Sequence, residues 1–177
     1  MRKATWLIAL VPFLTLPARA QELPKVEVFG GYSYQFVDLG RADLRMNGWN
    51  GEVSQNVNSW FGGVGSITGY YSHPGGVNVN VHSFMYGPLF THRKNKSFTP
   101  FAHVLFGGVR ASKGYLGISE AHTSFGLAAG GGLDVKVGDH LAVRVFQVDY
   151  LMTPYLNLRQ DNVKVSAGIV LRLGKQE

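Results

Sequence analysis

His122 and Ser124 stand two residues apart, and Glu120 stands two residues before them. Side chains alternate with period two along an extended strand, so the three share one face. An imidazole beside a hydroxyl can act as a general base and turn the serine into a nucleophile for acyl transfer, with a carboxylate orienting the ring. No oxyanion donors can be identified for such a site, and a His-x-Ser triplet is short enough to arise by chance. The chain is therefore read as non-enzymatic. His122, Ser124 and Glu120 are carried forward as its only catalytic candidates, alongside a purely structural role at a strand start.

A larger polar set has a different chemistry. Glu27, Glu52, Asp134, Lys136, Arg144, Asp149, Lys164 and Arg172 each fall on the polar face of an alternating segment. Inside a barrel these charges would either line an ion path or fill the interior as ion pairs. Eight strands leave an interior just wide enough for side chains, so a lumen plugged by a polar network is the expectation. The six histidines (73, 82, 92, 103, 122 and 140) show no ligand spacing, and there is no cysteine. Neither a metal site nor a disulfide is expected, and no cofactor. Gly130-Gly131-Gly132 does not open a helix after a strand, which argues against a phosphate loop. Arg93, Lys94 and Lys96 read as a solvated turn.

The elements that must position these residues are strands. From Asn162 to Leu173, Val163, Val165, Ala167, Ile169, Leu171 and Leu173 share one face, opposite Asn162, Lys164, Ser166, Gly168 and Arg172, with Val170 the exception. Segments of about ten residues with this alternation mark strands that cross a membrane in a barrel. The other seven are read as 25–36, 48–57, 60–71, 77–91, 98–111, 123–137 and 141–152. The phase changes within 77–91, where Val77, Val79 and Val81 are odd but Phe84, Tyr86 and Phe90 even, which predicts a bulge near His82-Ser83. A second phase change is expected at Val145-Phe146. The connections alternate long and short, which places both termini on the periplasmic side.

A soluble barrel has the same period with its faces exchanged. Gly126, Ala128, Gly130 and Gly132 decide between them, because glycine is a poor solvent face for a strand but suits a crowded narrow lumen. Aromatic residues near strand ends (Tyr34, Phe36, Trp49, Trp60, Tyr70, Tyr71, Phe90, Phe98 and Tyr150) suit interfacial girdles. At the N-terminus Arg2 and Lys3 precede the apolar run Ala4–Leu16, and Ala18-Arg19-Ala20 reads as a cleavage site. Residues 1–20 are thus expected to be a secretory signal and residues 21–177 one barrel domain. Removing Arg2, Lys3 and Arg19 halves the formal net charge of +6, leaving poor support for nucleic-acid binding.

Taken in order, Gly30-Gly31-Tyr32-Ser33-Tyr34, Phe84 to Pro88, Thr99-Pro100-Phe101 through Gly107-Gly108, Gly130 to Asp134, Arg144 to Tyr150 and Ser166-Ala167-Gly168 resemble the outer-membrane β-barrel family of OmpA-like and OmpX-like proteins. The resemblance implies an all-β fold, an eight-stranded antiparallel up-and-down transmembrane β-barrel. It also implies a monomer in a Gram-negative outer membrane, among outer-membrane lipid and lipopolysaccharide, inserted by the barrel-assembly machinery. One departure is the end Leu173-Gly174-Lys175-Gln176-Glu177, where such barrels commonly carry a terminal aromatic residue. The His122-x-Ser124 pair also resembles that of outer-membrane lipid A deacylases. This leaves two alternatives to a structural or surface-interaction barrel: a lipid-A-modifying acyl hydrolase, and a periplasmic carrier of hydrophobic ligands.

Overall fold

A computed structural model describes residues 23–38, 43–73, 78–95, 97–115, 118–155 and 158–176. The expected signal segment lies outside the described residues. Eight strands follow in chain order: β1 (Leu23–Asp38), β2 (Asp43–Asn56), β3 (Phe61–Ser72), β4 (Asn78–Thr91), β5 (Phe98–Tyr115), β6 (Ile118–Lys136), β7 (Leu141–Tyr155) and β8 (Leu158–Gln176). Each pairs antiparallel with its neighbours, and β1 closes the sheet on β8 from Leu23↔Gln176 to Val37↔Asn162. Closure leaves no sheet edge, the condition for crossing hydrocarbon with strands. β1 begins and β8 ends at one end of the barrel, called here the terminal end. The opposite end is the far end.

Alternation sorts side chains between wall and lumen. On β2, Trp49 and Val53 are exposed while Asn50, Glu52, Ser54 and Asn56 are buried. On β8, Val163, Val165, Ile169, Leu171 and Leu173 face out, and Asn162, Lys164, Ser166 and Arg172 are buried. The outer surface is an apolar band, which is the inverse of a soluble carrier with its polar face outward. At the terminal end the turns are tight for local reasons. Asn58 Oδ1 accepts hydrogen bonds from the Trp60 and Phe61 amides at 3.0 and 2.8 Å, and Asn95 Oδ1 from the Ser97 amide at 2.8 Å.

Three sequence expectations require correction. Three of the four long connections are shorter than expected. β2 starts at Asp43, β5 continues to Tyr115 and β6 starts at Ile118, and β7 and β8 reach Tyr155 and Leu158. Backbone pairing continues past the lipid band, where nothing demands that side chains alternate, so the pattern stops before the strand does. The bulge near His82-Ser83 is absent, because β4 pairs evenly with β3 through His82↔Gly69 and Ser83↔Thr68. Val79 faces inward with Ser83, Met85 and Leu89, so the apparent phase change reflects an apolar stretch of lumen. Tyr70 is no girdle residue either. It is 2% exposed and points inward, since only one of the consecutive Tyr70 and Tyr71 can face out.

The irregularity in β7 lies where the sequence puts it. Pairing with β8 shifts between Arg144 and Gln147, and pairing with β6 shifts at Leu133/Asp134. Val145 and Phe146 are consecutive yet both exposed, while Arg144 and Gln147 are both buried. The extra residue therefore sends both polar side chains into the lumen, where strict alternation would turn one of them toward lipid.

Candidate functional site: the barrel lumen

Among the described residues the lumen holds four buried carboxylates, Glu27, Glu52, Asp134 and Asp149, and four buried cations, Arg93, Arg144, Lys164 and Arg172. They form two clusters. At the terminal end Glu27 is the acceptor for two guanidinium groups. Arg172 Nε donates to its Oε1 at 3.0 Å and Arg93 donates to both of its oxygens. The Asn56 amide adds a bond at 3.1 Å, and Arg172 Nη2 also donates to Thr99 Oγ1.

Deeper in, Arg144 spans the barrel. Its guanidinium donates to Asp134 Oδ1 and Oδ2 at 2.8 and 3.2 Å on β6, and to Glu52 Oε2 on β2 at 2.6 Å. Its flat faces sit 4.2 Å from the Phe29 ring centre and 4.1 Å from that of Phe101, a double cation–π arrangement inside a narrow cavity. Gln147 links this cluster onward, donating to Glu52 Oε1 at 2.8 Å and Asp149 Oδ2 at 2.7 Å. Asp149 also meets Lys164 Nζ at 2.9 Å and His103 Nε2 at 2.6 Å.

His103 on β5 and Asp149 on β7 are not neighbouring strands' residues; β6 lies between them. Gly130 of β6 is the rung partner of both. A Cβ at Gly130 would stand 2.0 Å from Asp149 Oδ1, so the missing side chain is what lets imidazole and carboxylate meet across the strand. Toward the far end, Ser33 Oγ lies 2.7 Å from both Tyr70 Oη and Ser166 Oγ. Val37, Met46, Tyr70 and Val79 form a buried apolar cluster beyond them. A second apolar cluster, with Val64, Met85, Leu105 and Leu151, lies on the inner wall between β3 and β7 beside the polar groups.

Seven of the eight charged residues expected on the polar face lie in these clusters; Lys136 does not. It ends β6 at the rim, exposed, and bonds Asp139 in the following turn at 2.9 Å. Arg93, expected to be solvated, is buried against Glu27. Its position was legible from parity, since Ser83, Met85, Leu89 and Thr91 are buried on the same odd-numbered face of β4. His103 gave no signal as a ligand, but it too shares an odd-numbered inward face with Thr99, Phe101 and Leu105. Among the described residues no group of acids and histidines is arranged to hold a metal.

The catalytic candidates sit elsewhere. His122 is exposed and Ser124 half-buried near the far end of β6, in phase with the buried Gly126 and Ala128. That phase is the lumen side, away from the lipid-facing Phe125 and Leu127. The Glu120 side chain lies outside those described.

Residues 6–170 match the family described as outer membrane protein beta-barrel domain. The chain belongs to that family. Solved structures agree on the fold of this outer-membrane barrel. Neisserial surface protein A superposes with a TM-score of 0.74 at 14% identity, covering 84% of this chain and 97% of that one. The attachment invasion locus protein of Yersinia pestis gives 0.60 at 18% identity, with 84% and 99% covered. OprG from Pseudomonas aeruginosa gives 0.57 at 11% identity, with 86% and 97% covered. No curated protein matches the outer-membrane barrel in sequence. Its place is the outer membrane of a Gram-negative envelope.

Proposed function

We propose that this outer-membrane barrel is a monomeric, non-enzymatic structural and surface-interaction protein with a closed lumen. Its termini face the periplasm after signal-peptide export and assembly-machinery insertion, and its far end faces outward among lipopolysaccharide. The observation that carries this reading is the charge-balanced lumen, in which Arg144, Gln147 and Asp149 tie β7 to β2, β5, β6 and β8 across the bore. Buried charges stripped of a partner are expensive, so the paired arrangement resists opening to ions. The placement of His122 and Ser124 on the lumen side supports the structural reading over deacylation of a lipid, whose ester bonds lie outside the wall. The names of Neisserial surface protein A and the attachment invasion locus protein speak of surface and attachment, and the reading extends that exposure to the far end of this barrel.

The test is conductance in planar bilayers. The purified protein should give no steady, large channel. A reproducible nanosiemens-scale conductance that disappears when Gly130 is replaced by a bulky residue refutes the closed lumen.

A further inference from the structure

On the outer wall, one row of rung partners runs Tyr32, Trp49, Gly69, His82, Arg110 and Thr123 across β1 to β6. Its middle section marks the edge of the apolar band. On β4 the exposed Phe84, Tyr86 and Phe90 lie on the terminal side of His82, and on β5 the exposed Phe98 and Val104 lie on the terminal side of Arg110.

These boundary residues are organised. The Trp49 indole lies across Gly69, where a Cβ would come within 2.7 Å of the indole nitrogen, so the glycine keeps the ring against the wall. Trp49 Nε1 donates to Tyr71 Oη at 3.5 Å, and Tyr71 Oη sits 3.4 Å from His82 Nε2. Trp49 is 44% exposed and Tyr71 41%, so hydrogen bonding holds the rings without hiding them. Arg110 is the rung partner of His82, and Arg45 stands on the outward face of β2 beyond Trp49 and Asn47; both are exposed. Among the described residues neither arginine has a carboxylate partner.

We infer that Arg45, Trp49, Tyr71, His82 and Arg110 form an outward-facing site for a phosphorylated glycolipid headgroup of the outer leaflet. Exposed guanidinium groups at the edge of an apolar band meet phosphate with charge-assisted, bidentate hydrogen bonds. The band below them holds acyl chains. A fixed, exposed indole on the same boundary as these cations offers its face to a sugar ring, which a simple glycerophospholipid lacks. This assignment rests on the proposed outward orientation of the far end.

The test uses the full barrel in phosphatidylcholine nanodiscs doped with lipopolysaccharide, dephosphorylated lipopolysaccharide or phosphatidylglycerol, with bound lipid counted by native mass spectrometry. Preferential retention of the phosphorylated glycolipid is expected. Arg110→Gln and Arg45→Gln should each weaken it about five-fold, the effect of one interfacial cation. Trp49→Leu should reduce glycolipid retention while leaving phosphatidylglycerol unchanged. Unaltered retention in the double arginine variant, or equal retention of either comparison lipid, overturns the site. Orientation is read separately by labelling His73→Cys in intact cells with an impermeant maleimide, in a chain with no other cysteine. An unlabelled thiol on a folded, heat-modifiable barrel removes the outer-leaflet ligand and overturns the proposal through its orientation. A labelled thiol with failed retention overturns the site alone.

Discussion

Gly130→Ala tests whether the lumen is held by contacts that reach over a strand. The added methyl carbon would stand 2.0 Å from Asp149 Oδ1 and 2.4 Å from the Val148 carbonyl oxygen. The carboxylate must swing away, which breaks its 2.6 Å contact with His103, and the backbone must shift as well. A lost hydrogen bond to a buried charge costs about 1.5–3 kcal/mol, and overpacking of a tight interior adds about 1–3 kcal/mol. The barrel should lose roughly 3–5 kcal/mol, read by urea titration in lipid vesicles with tryptophan fluorescence and gel mobility. His103→Ala supplies the control. Without the imidazole, Asp149 is free to turn toward Lys164 and Gln147, so Gly130→Ala should cost at least about 1.5 kcal/mol less in that background. Costs that agree within about 0.5 kcal/mol in the two backgrounds would refute the reasoning, because they would make the glycine's role independent of the histidine.

Three further outcomes are expected. Ile169→Arg should block insertion, since an arginine at mid-membrane on the lipid face costs about 2–4 kcal/mol, whereas Ser166→Asn in the lumen should be tolerated; folding yield in vesicles checks both. Arg144→Met leaves Glu52 and Asp134 buried without their cation and should cost about 3–5 kcal/mol, while adding Glu52→Gln and Asp134→Asn to the same chain should recover most of that loss in the same urea titration. His122→Ala and Ser124→Ala should leave the lipid A mass profile of expressing cells unchanged. Loss of acyl chains that depends on Ser124 would make this barrel an enzyme.

The outward faces were the legible part of this chain. Lipid imposes one rule on them, so β2 and β8 could be phased from Trp49, Val53 and Ile169 alone. The lumen follows no single rule, because a cavity closed on itself can be filled by ion pairs, glycines or methionine with equal success. Val79 and Val81 therefore mimicked a phase change, and Tyr70 passed for a girdle residue. The irregularity at Val145-Phe146 was visible because two consecutive large apolar side chains can share the lipid face only if the backbone bulges. Partners within the lumen were out of reach, since they depend on registers. Glu27 and Arg172 face each other because β1 and β8 pair at that rung, and nothing local to either residue encodes it.

That pairing has a consequence for how the barrel forms. Glu52 finds Arg144 at a sequence separation of 92 residues, and Glu27 finds Arg172 at 145. The first hairpin thus carries acids whose sets of cations are completed only by the last two strands: Arg93 reaches Glu27 after β4, but Arg144 and Arg172 come with β7 and β8. Until the sheet has curled fully round, Glu52 lacks Arg144 and Glu27 lacks one of its two guanidinium partners, which favours keeping both in water. Closure completes both sets, Glu27 with Arg172 at the seam where β1 meets β8 and Glu52 with Arg144 across the bore. Folding should therefore be slow and all-or-none, as expected when the decisive contacts are the most distant in sequence. Reopening the seam would have to expose Glu27 and Arg172 to hydrocarbon at once, so the unfolding rate, more than the equilibrium, sets the lifetime of the folded protein in the membrane.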